Sequence, residues 1–222
     1  MNIIDTISTD TKAEQIYRKV KAAILKGEIL PGEKLVINQL AAHFKTSAIP
    51  VREALGRLEA VNLIVVVPHT GAHVKGIDIE CLRELYPVRG VLEGYAVRLA
   101  TEKITTATLE ALRELIHEME TAGAAKDFAL MGKLNIRFHR TIYAASENKT
   151  LINMIDDLWE KTAFARLVFK FTPFRAKDSN KEHKLIVEAL AANNPKRAEK
   201  LIVRQSDKTL ILLDRYLKKK KG

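Results

Sequence analysis

The sequence predicts a mainly α-helical chain in two parts: an N-terminal part of three helices and one β-hairpin, then a larger part that is helix throughout. Three observations carry this. Apolar residues recur every three to four positions along most of the chain. The break in that period is the β-branched run Leu63–Val67, followed by the turn-rich Pro68-His69-Thr70-Gly71 and a return over Ala72–Lys75, the pattern of a two-stranded hairpin. Beyond Gly76-Ile77-Asp78 turn residues become sparse and every remaining segment has the helical period.

The first helix is expected over about 12–26, because Ile16, Val20, Ala23 and Ile24 share a face and Thr11 with Glu14 has the form of a capping box. Gly27 is a plausible stop, and Pro31-Gly32 makes a turn, since proline presets its own φ and glycine supplies an unusual one. The second helix covers about 37–45, with Ile37, Leu40, Ala41 and Phe44 on one face. After Thr46-Ser47 the third runs over 48–60, with Val51, Ala54, Leu55 and Leu58 inward, Ser47 as N-cap and Pro50 tolerated in its first turn. Helix, helix, turn, helix, hairpin is the order of a winged helix-turn-helix. The second part reads as helices near 78–102, 106–123, 126–146, 148–171, 178–192 and 195–218, an all-α bundle. Pro87 falls inside the first of these and should kink it. The domain boundary is placed at 77/78.

With 222 residues, 47% of them apolar, the chain is long enough for real cores. Its one cysteine, Cys81, has no partner for an intramolecular disulfide, residues 1–10 do not resemble a secretion signal, and no apolar run approaches the roughly 20 residues of a membrane helix. A cytoplasmic protein without membrane contact is expected. The net charge of +10 suits a polyanionic partner. Its distribution is less specific: residues 1–77 carry 10 Lys and Arg against 7 Asp and Glu, residues 78–222 carry 27 against 20, and Lys218–Lys221 form a solvated tail over 218–222.

Three segments carry a resemblance. Ile24-Leu25-Lys26-Gly27 with Leu30-Pro31-Gly32-Glu33-Lys34-Leu35, then Leu40-Ala41, then Pro50-Val51-Arg52-Glu53-Ala54-Leu55 with Leu58-Glu59, resemble the N-terminal domain of GntR-family transcription regulators. The resemblance implies that the helix over 48–60 enters the major groove of double-stranded DNA while the preceding helix braces it. The residues implied to meet DNA are Lys45, Ser47, Ala48, Pro50, Arg52, Glu53 and Arg57, with His69, Thr70 and Gly71 at the wing tip. Many relatives have an arginine after the cap serine, suited to bidentate guanine contact, whereas Ala48 offers only a methyl group. Arg52 is left as the main positive side chain of that turn, and Arg52 and Arg57 also suit an ordinary solvated face.

Residues 78–218 resemble the FCD ligand domain of the FadR-like branch, on Leu85–Glu93, Asn135–His139 with Tyr143 and Asn148, and Glu182-His183 through Glu188-Ala189-Leu190. The resemblance implies a polar cavity, commonly with a divalent metal and a carboxylate effector. Independently, Asn135 and His139 share a helical face at i and i+4, and His183 and Gln205 each lie 11 residues from Asn194, so an antiparallel hairpin sets them level. In metal-binding relatives these four positions hold one aspartate and three histidines, a zinc- or nickel-type set. Here Asn135 and Gln205 replace two of them with neutral amides. Three readings stay open: a metal on His139 and His183 with Asn135 and Gln205 as weak ligands, a metal-free pocket in which the same residues hydrogen-bond an effector, and structural histidines.

Arg89, in an apolar stretch, needs a carboxylate, which is either an anionic effector or Glu93 at i+4. Arg140, Tyr143 and Arg166 are further polar candidates for the pocket. Trp159 with Phe164, Phe169 and Phe171 suits either a core or a subunit interface. An enzyme is disfavoured, since there is no H-E-x-x-H, no glycine-rich phosphate loop and no G-x-S-x-G. A nucleic-acid binder without ligand response leaves the larger helical part unexplained. The expected protein is a homodimeric repressor of a palindromic operator, switched by a small carboxylate.

Overall fold

The computed structural model describes residues 10–26, 28–68, 70–76, 78–162 and 173–221. Gly27, His69, Phe164, Arg166, Phe169 and Phe171 lie outside the described residues. The chain divides into two compact units, Met1–Ile77 and Asp78–Gly222.

In the first unit, α1 spans Lys12–Lys26, β1 Lys34–Leu35, α2 Ile37–His43, α3 Ala48–Ala60, β2 Ile64–Val67 and β3 Gly71–Val74. Thr11 Oγ1 accepts the Glu14 amide at 3.1 Å, so half of the predicted capping box forms. The Glu14 carboxylate instead pairs with Arg18 and with Arg57 of α3. α1 packs on α3, burying Ile16, Val20 and Ile24 together with Val51, Ala54, Leu55 and Leu58, the inward set that the period predicts. The sheet has three antiparallel strands in the order β1-β3-β2, where the sequence suggests a two-stranded hairpin. The added strand is only two residues long, with Lys34 opposite His73 and Leu35 opposite Ala72. It is locked by Gly32, at φ +88, whose amide donates to Val74 O.

In the second unit, α4 spans Ile79–Thr101, α5 Thr106–Ala124, α6 Phe128–Ala144, α7 Lys149–Lys161, α8 Pro173–Ala191 and α9 Pro195–Lys221. Asp78, Thr105, Asp127, Asn148 and Asn194 each accept the amide three residues on, which satisfies one orphan donor per helix start and marks where five of the helices begin. Lys45, Asn62, Lys126, Glu147 and Asn193, all with φ between +49 and +57, turn the chain just after α2, α3, α5, α6 and α8. α4 runs uninterrupted through Pro87. The segment predicted as helix to 171 closes at Lys161, with Thr162 as C-cap. α4 packs along α9, and α5 packs on α6 and α8, around a core that includes Phe138, Ile142, Leu112, Ile186 and Ile202. Among the described residues no helix is long and apolar enough to cross a membrane.

Candidate functional site

Two sets of residues stand out, one in each unit. In the first, α2 and α3 meet across a turn in which Lys45 takes φ +49 and Ser47 holds the N-cap position of α3. The Ser47 side chain makes no capping bond, so the first-turn amides of α3 keep their donors for another acceptor. Ser47, Arg52 and Glu53 are exposed, Ala48 and Pro50 half-buried. Arg52 makes no hydrogen bond or ion pair among the described residues, while Arg57 pairs with Glu14 and lies over the Tyr17 ring at 4.4 Å. Arg57 is thus a brace between α3 and α1 in this structure. Burial raises the Tyr17 hydroxyl above its ordinary pKa, against the opposing effect of Arg57. Sequence reasoning missed Ile49, 68% exposed in the first turn of α3. Its position between Ser47 and Arg52 was the available signal. At the wing, Thr70 closes the turn by donating to Val67 O, and Gly71 takes φ +98.

In the second unit a small cavity with about 40 Å³ of free space is lined by α4, α6, α7, α8 and α9. Tyr86, Arg89 and Glu93 come from α4, Asn135 and His139 from α6, Trp159 from α7, Ser179 from α8, and Gln205, Ser206 and Thr209 from α9. Tyr143, one turn beyond His139, has its hydroxyl 3.3 Å from His139 Nδ1. The His183 ring lies 5.2 Å from that of His139, centre to centre, and its Nε2 is 3.4 Å from Ser179 Oγ, to which Gln205 Nε2 also donates. Asn135, His139, His183 and Gln205 are thereby brought together. Arg140 is not: it is exposed and paired with Asp156 at 2.9 Å, because one residue beyond His139 is about 100° further round the helix.

A buried ion pair forms part of the cavity wall. Arg89 Nε lies 2.8 Å from Glu93 Oε1, and Arg89 Nη1 donates to Thr162 Oγ1 at 2.9 Å. Its guanidinium stacks over Tyr86 at 4.5 Å and Trp159 at 5.3 Å, and Trp159 Nε1 donates to the same Glu93 carboxylate. Burial pushes the Arg89 guanidinium down, but Glu93, Tyr86 and Tyr143 outweigh it and hold its pKa above the ordinary value. Burial, reinforced by Glu93, drives the Tyr143 hydroxyl well above its usual value of 10.0. Of the two partners left open for Arg89 by the sequence, the structure pairs it with Glu93.

The donor set does not fit a resident zinc- or nickel-type ion. Two imidazoles stand with two neutral amides, and the described residues hold no group of three or more His, Cys, Asp and Glu that suits a metal. Sequence reasoning missed Tyr86, Ser179, Ser206 and Thr209. Each lies within one turn of a residue it did find, which was the only signal.

Comparison with known proteins agrees with both halves. The profile of bacterial regulatory proteins of the gntR family matches residues 12–74, and the FCD domain profile matches 84–205. The chain is 30% identical over 182 residues to the HTH-type transcriptional regulator McbR of Escherichia coli, covering 81% of this chain and 82% of that one. It is 33% identical to LutR of Bacillus subtilis, covering 79% and 89%, and 28% identical to a probable D-xylose utilization operon transcriptional repressor of Paenarthrobacter nicotinovorans, covering 87% and 84%. The solved structure of E. coli McbR/YncC superposes with a TM-score of 0.79 at 26% identity, covering 94% of this chain and all of that one. These relatives are regulators and not enzymes, and the chain belongs to the GntR family of DNA-binding transcription regulators, in the group that carries an FCD domain.

Proposed function

We propose that the protein is a cytoplasmic, homodimeric, effector-responsive repressor, with residues 1–77 reading a palindromic operator and residues 78–222 sensing a small carboxylate and holding the dimer. The observation that carries this is the buried Arg89 guanidinium on the wall of a polar cavity. A guanidinium has five donors and keeps its charge when buried, so Glu93 and Thr162 do not exhaust what Arg89 can offer a ligand carboxylate. Asn135, His139, Ser179, Gln205, Ser206 and Thr209 supply hydrogen-bonding groups around it, so the ligand is held by hydrogen bonds without a metal. At the reader, Arg52 reaches a base edge or phosphate, Ile49 suits a thymine methyl, and the uncapped amides of α3 receive a phosphate. Lys45, Ser47, Ala48, Pro50 and Glu53 complete that surface, with Thr70 and Gly71 of the wing beside the backbone. Relatives named as repressors support the direction of control.

The test is a gel shift on the DNA upstream of the protein's own gene, with and without a panel of small carboxylates whose binding is followed by calorimetry. A carboxylate that binds and releases the DNA supports the proposal. Binding with unchanged operator affinity over the full titration overturns it, and turnover of the compound would point to an enzyme.

A further inference from the structure

The cavity of the second unit is balanced in charge. Among its lining residues Arg89 and Glu93 carry the only fixed charges, one of each sign, and the others are amides, hydroxyls, aromatic rings and the imidazole of His139. The Arg89 and Glu93 side chains are only 12% and 4% exposed, so water screens little of what happens between them. A carboxylate that enters alone leaves this space with one negative charge in excess, and a buried charge without a counter-charge is strongly disfavoured. A ligand that brings its own positive charge meets no such penalty.

Both charged groups have bonding capacity to spare. Arg89 Nε is buried and lies 2.8 Å from Glu93 Oε1, yet its N–H is not aimed at that oxygen and has no hydrogen-bond acceptor among the described residues. Arg89 Nη1 donates to Thr162 Oγ1, and the guanidinium has further hydrogens to give. On Glu93, the Arg89 guanidinium and the Trp159 indole both address Oε1, and the Tyr143 hydroxyl also reaches the carboxylate. A carboxylate has about four acceptor positions, so room remains for a further donor. The two charged groups are direct neighbours, and a ligand that engages both carries its own charges close together. An ammonium and a carboxylate borne on the same carbon meet that demand. We propose that the effector is a small α-amino acid, with its carboxylate on Arg89 and its ammonium on Glu93. The proposal rests on the carboxylate-sensing reading above and makes Glu93 the residue that selects for the ammonium. A site built to pair with a polar group rejects an analogue that lacks it, because its own buried group is left unpaired.

The experiment is calorimetry on the full chain with compounds that share one carbon frame: L-alanine, its α-hydroxy analogue, propionate and ethylamine, with the glycine and serine series in parallel. At least one of the three amino acids is expected to bind about tenfold or more tightly than its α-hydroxy, unsubstituted and amine analogues. It should bind without net proton uptake, read as an unchanged heat in two buffers of different ionisation enthalpy. In Glu93→Gln the cavity keeps Arg89 and loses its negative charge, so the order is expected to invert, with the unsubstituted carboxylate about tenfold tighter than the amino acid. A purely structural role for Glu93 would weaken all the compounds alike. The wild-type series decides the matter without the variant. A wild type that binds the α-hydroxy acid or propionate as tightly as the amino acid, with or without uptake of a proton, overturns this proposal and leaves carboxylate sensing standing. So does binding of some other small carboxylate when no amino acid of the three series binds. An amine that binds as tightly as its amino acid, or a protein that binds no carboxylate at all, overturns both.

Discussion

Arg52 and Arg57 lie one and a half turns apart on α3 and look interchangeable in the sequence, yet they have different partners. Arg57 is spent on Glu14 and the Tyr17 ring, whereas Arg52 has no hydrogen bond or ion pair among the described residues, which suits the DNA contact proposed for it. Arg52→Ala is therefore expected to cost about 1 to 3 kcal/mol of operator affinity with an unchanged melting temperature. Arg57→Ala is expected to cost about 1 kcal/mol of stability with a smaller loss of affinity. Parallel gel shifts and thermal melts separate the two. A second residue-scale consequence concerns Tyr143. Its hydroxyl is raised well above 10.0, so the fold favours the protonated form, and that contribution is complete below pH 10 and lost as pH rises through the folded value. The denaturant midpoint of the wild type should fall more steeply above pH 10 than that of Tyr143→Phe. The resemblance made Asn135, His139, His183 and Gln205 legible. Ser179, Ser206 and Thr209 were not, because hydroxyls on helices commonly bond back to their own backbone, as Thr209 does to Gln205 O, and give no pattern of their own. Arg140 was misplaced for a simpler reason, since adjacent residues on a helix cannot share a face.

At the scale of elements, boundaries were readable where a side chain does the capping. Asp78, Thr105, Asn148 and Asn194 mark helix starts within a residue or two, and Pro195 begins α9 where proline costs nothing. β1 was invisible, because two residues make no alternation to detect and its existence depends on Gly32 bringing it to β3. Helix packing depends on glycine at one point. A Cβ at Gly94 would meet Val203 Cγ2 at 3.0 Å and Glu199 Cγ at 3.2 Å, so α4 and α9 approach closely there, while Gly132 has nothing within 4 Å. Gly132→Ala should raise stability by about 0.5 to 1 kcal/mol through helix propensity. Gly94→Ala should fall short of that gain by about 1 to 3 kcal/mol, as overpacking opposes it. Chemical denaturation of the two variants against wild type is the check.

Over the whole molecule, the proposed switch requires an effector to bias the reading heads, and a coupling of about 1 to 3 kcal/mol corresponds to a 5- to 150-fold change in operator affinity. Removing Arg89 alone would strand Glu93, a buried charge without its counter-ion, and confuse loss of response with loss of fold. The paired variant Arg89→Met with Glu93→Gln avoids this. It is expected to bind operator as wild type does and to ignore the effector, and a retained response would remove Arg89 from the sensing site. Elemental analysis of purified wild type and His139→Ala should find no stoichiometric zinc or nickel in either, in keeping with the amides at Asn135 and Gln205.

The cavity of about 40 Å³ has room for only a few water molecules. Under the proposed reading, an effector of more than a few heavy atoms requires the side chains and helices that line the cavity to move apart. Its measured affinity is then the intrinsic one reduced by the fraction of time the helices stand open. In a stopped-flow experiment the observed rate should level off at high effector concentration, and the plateau would be the opening rate of the helical bundle itself.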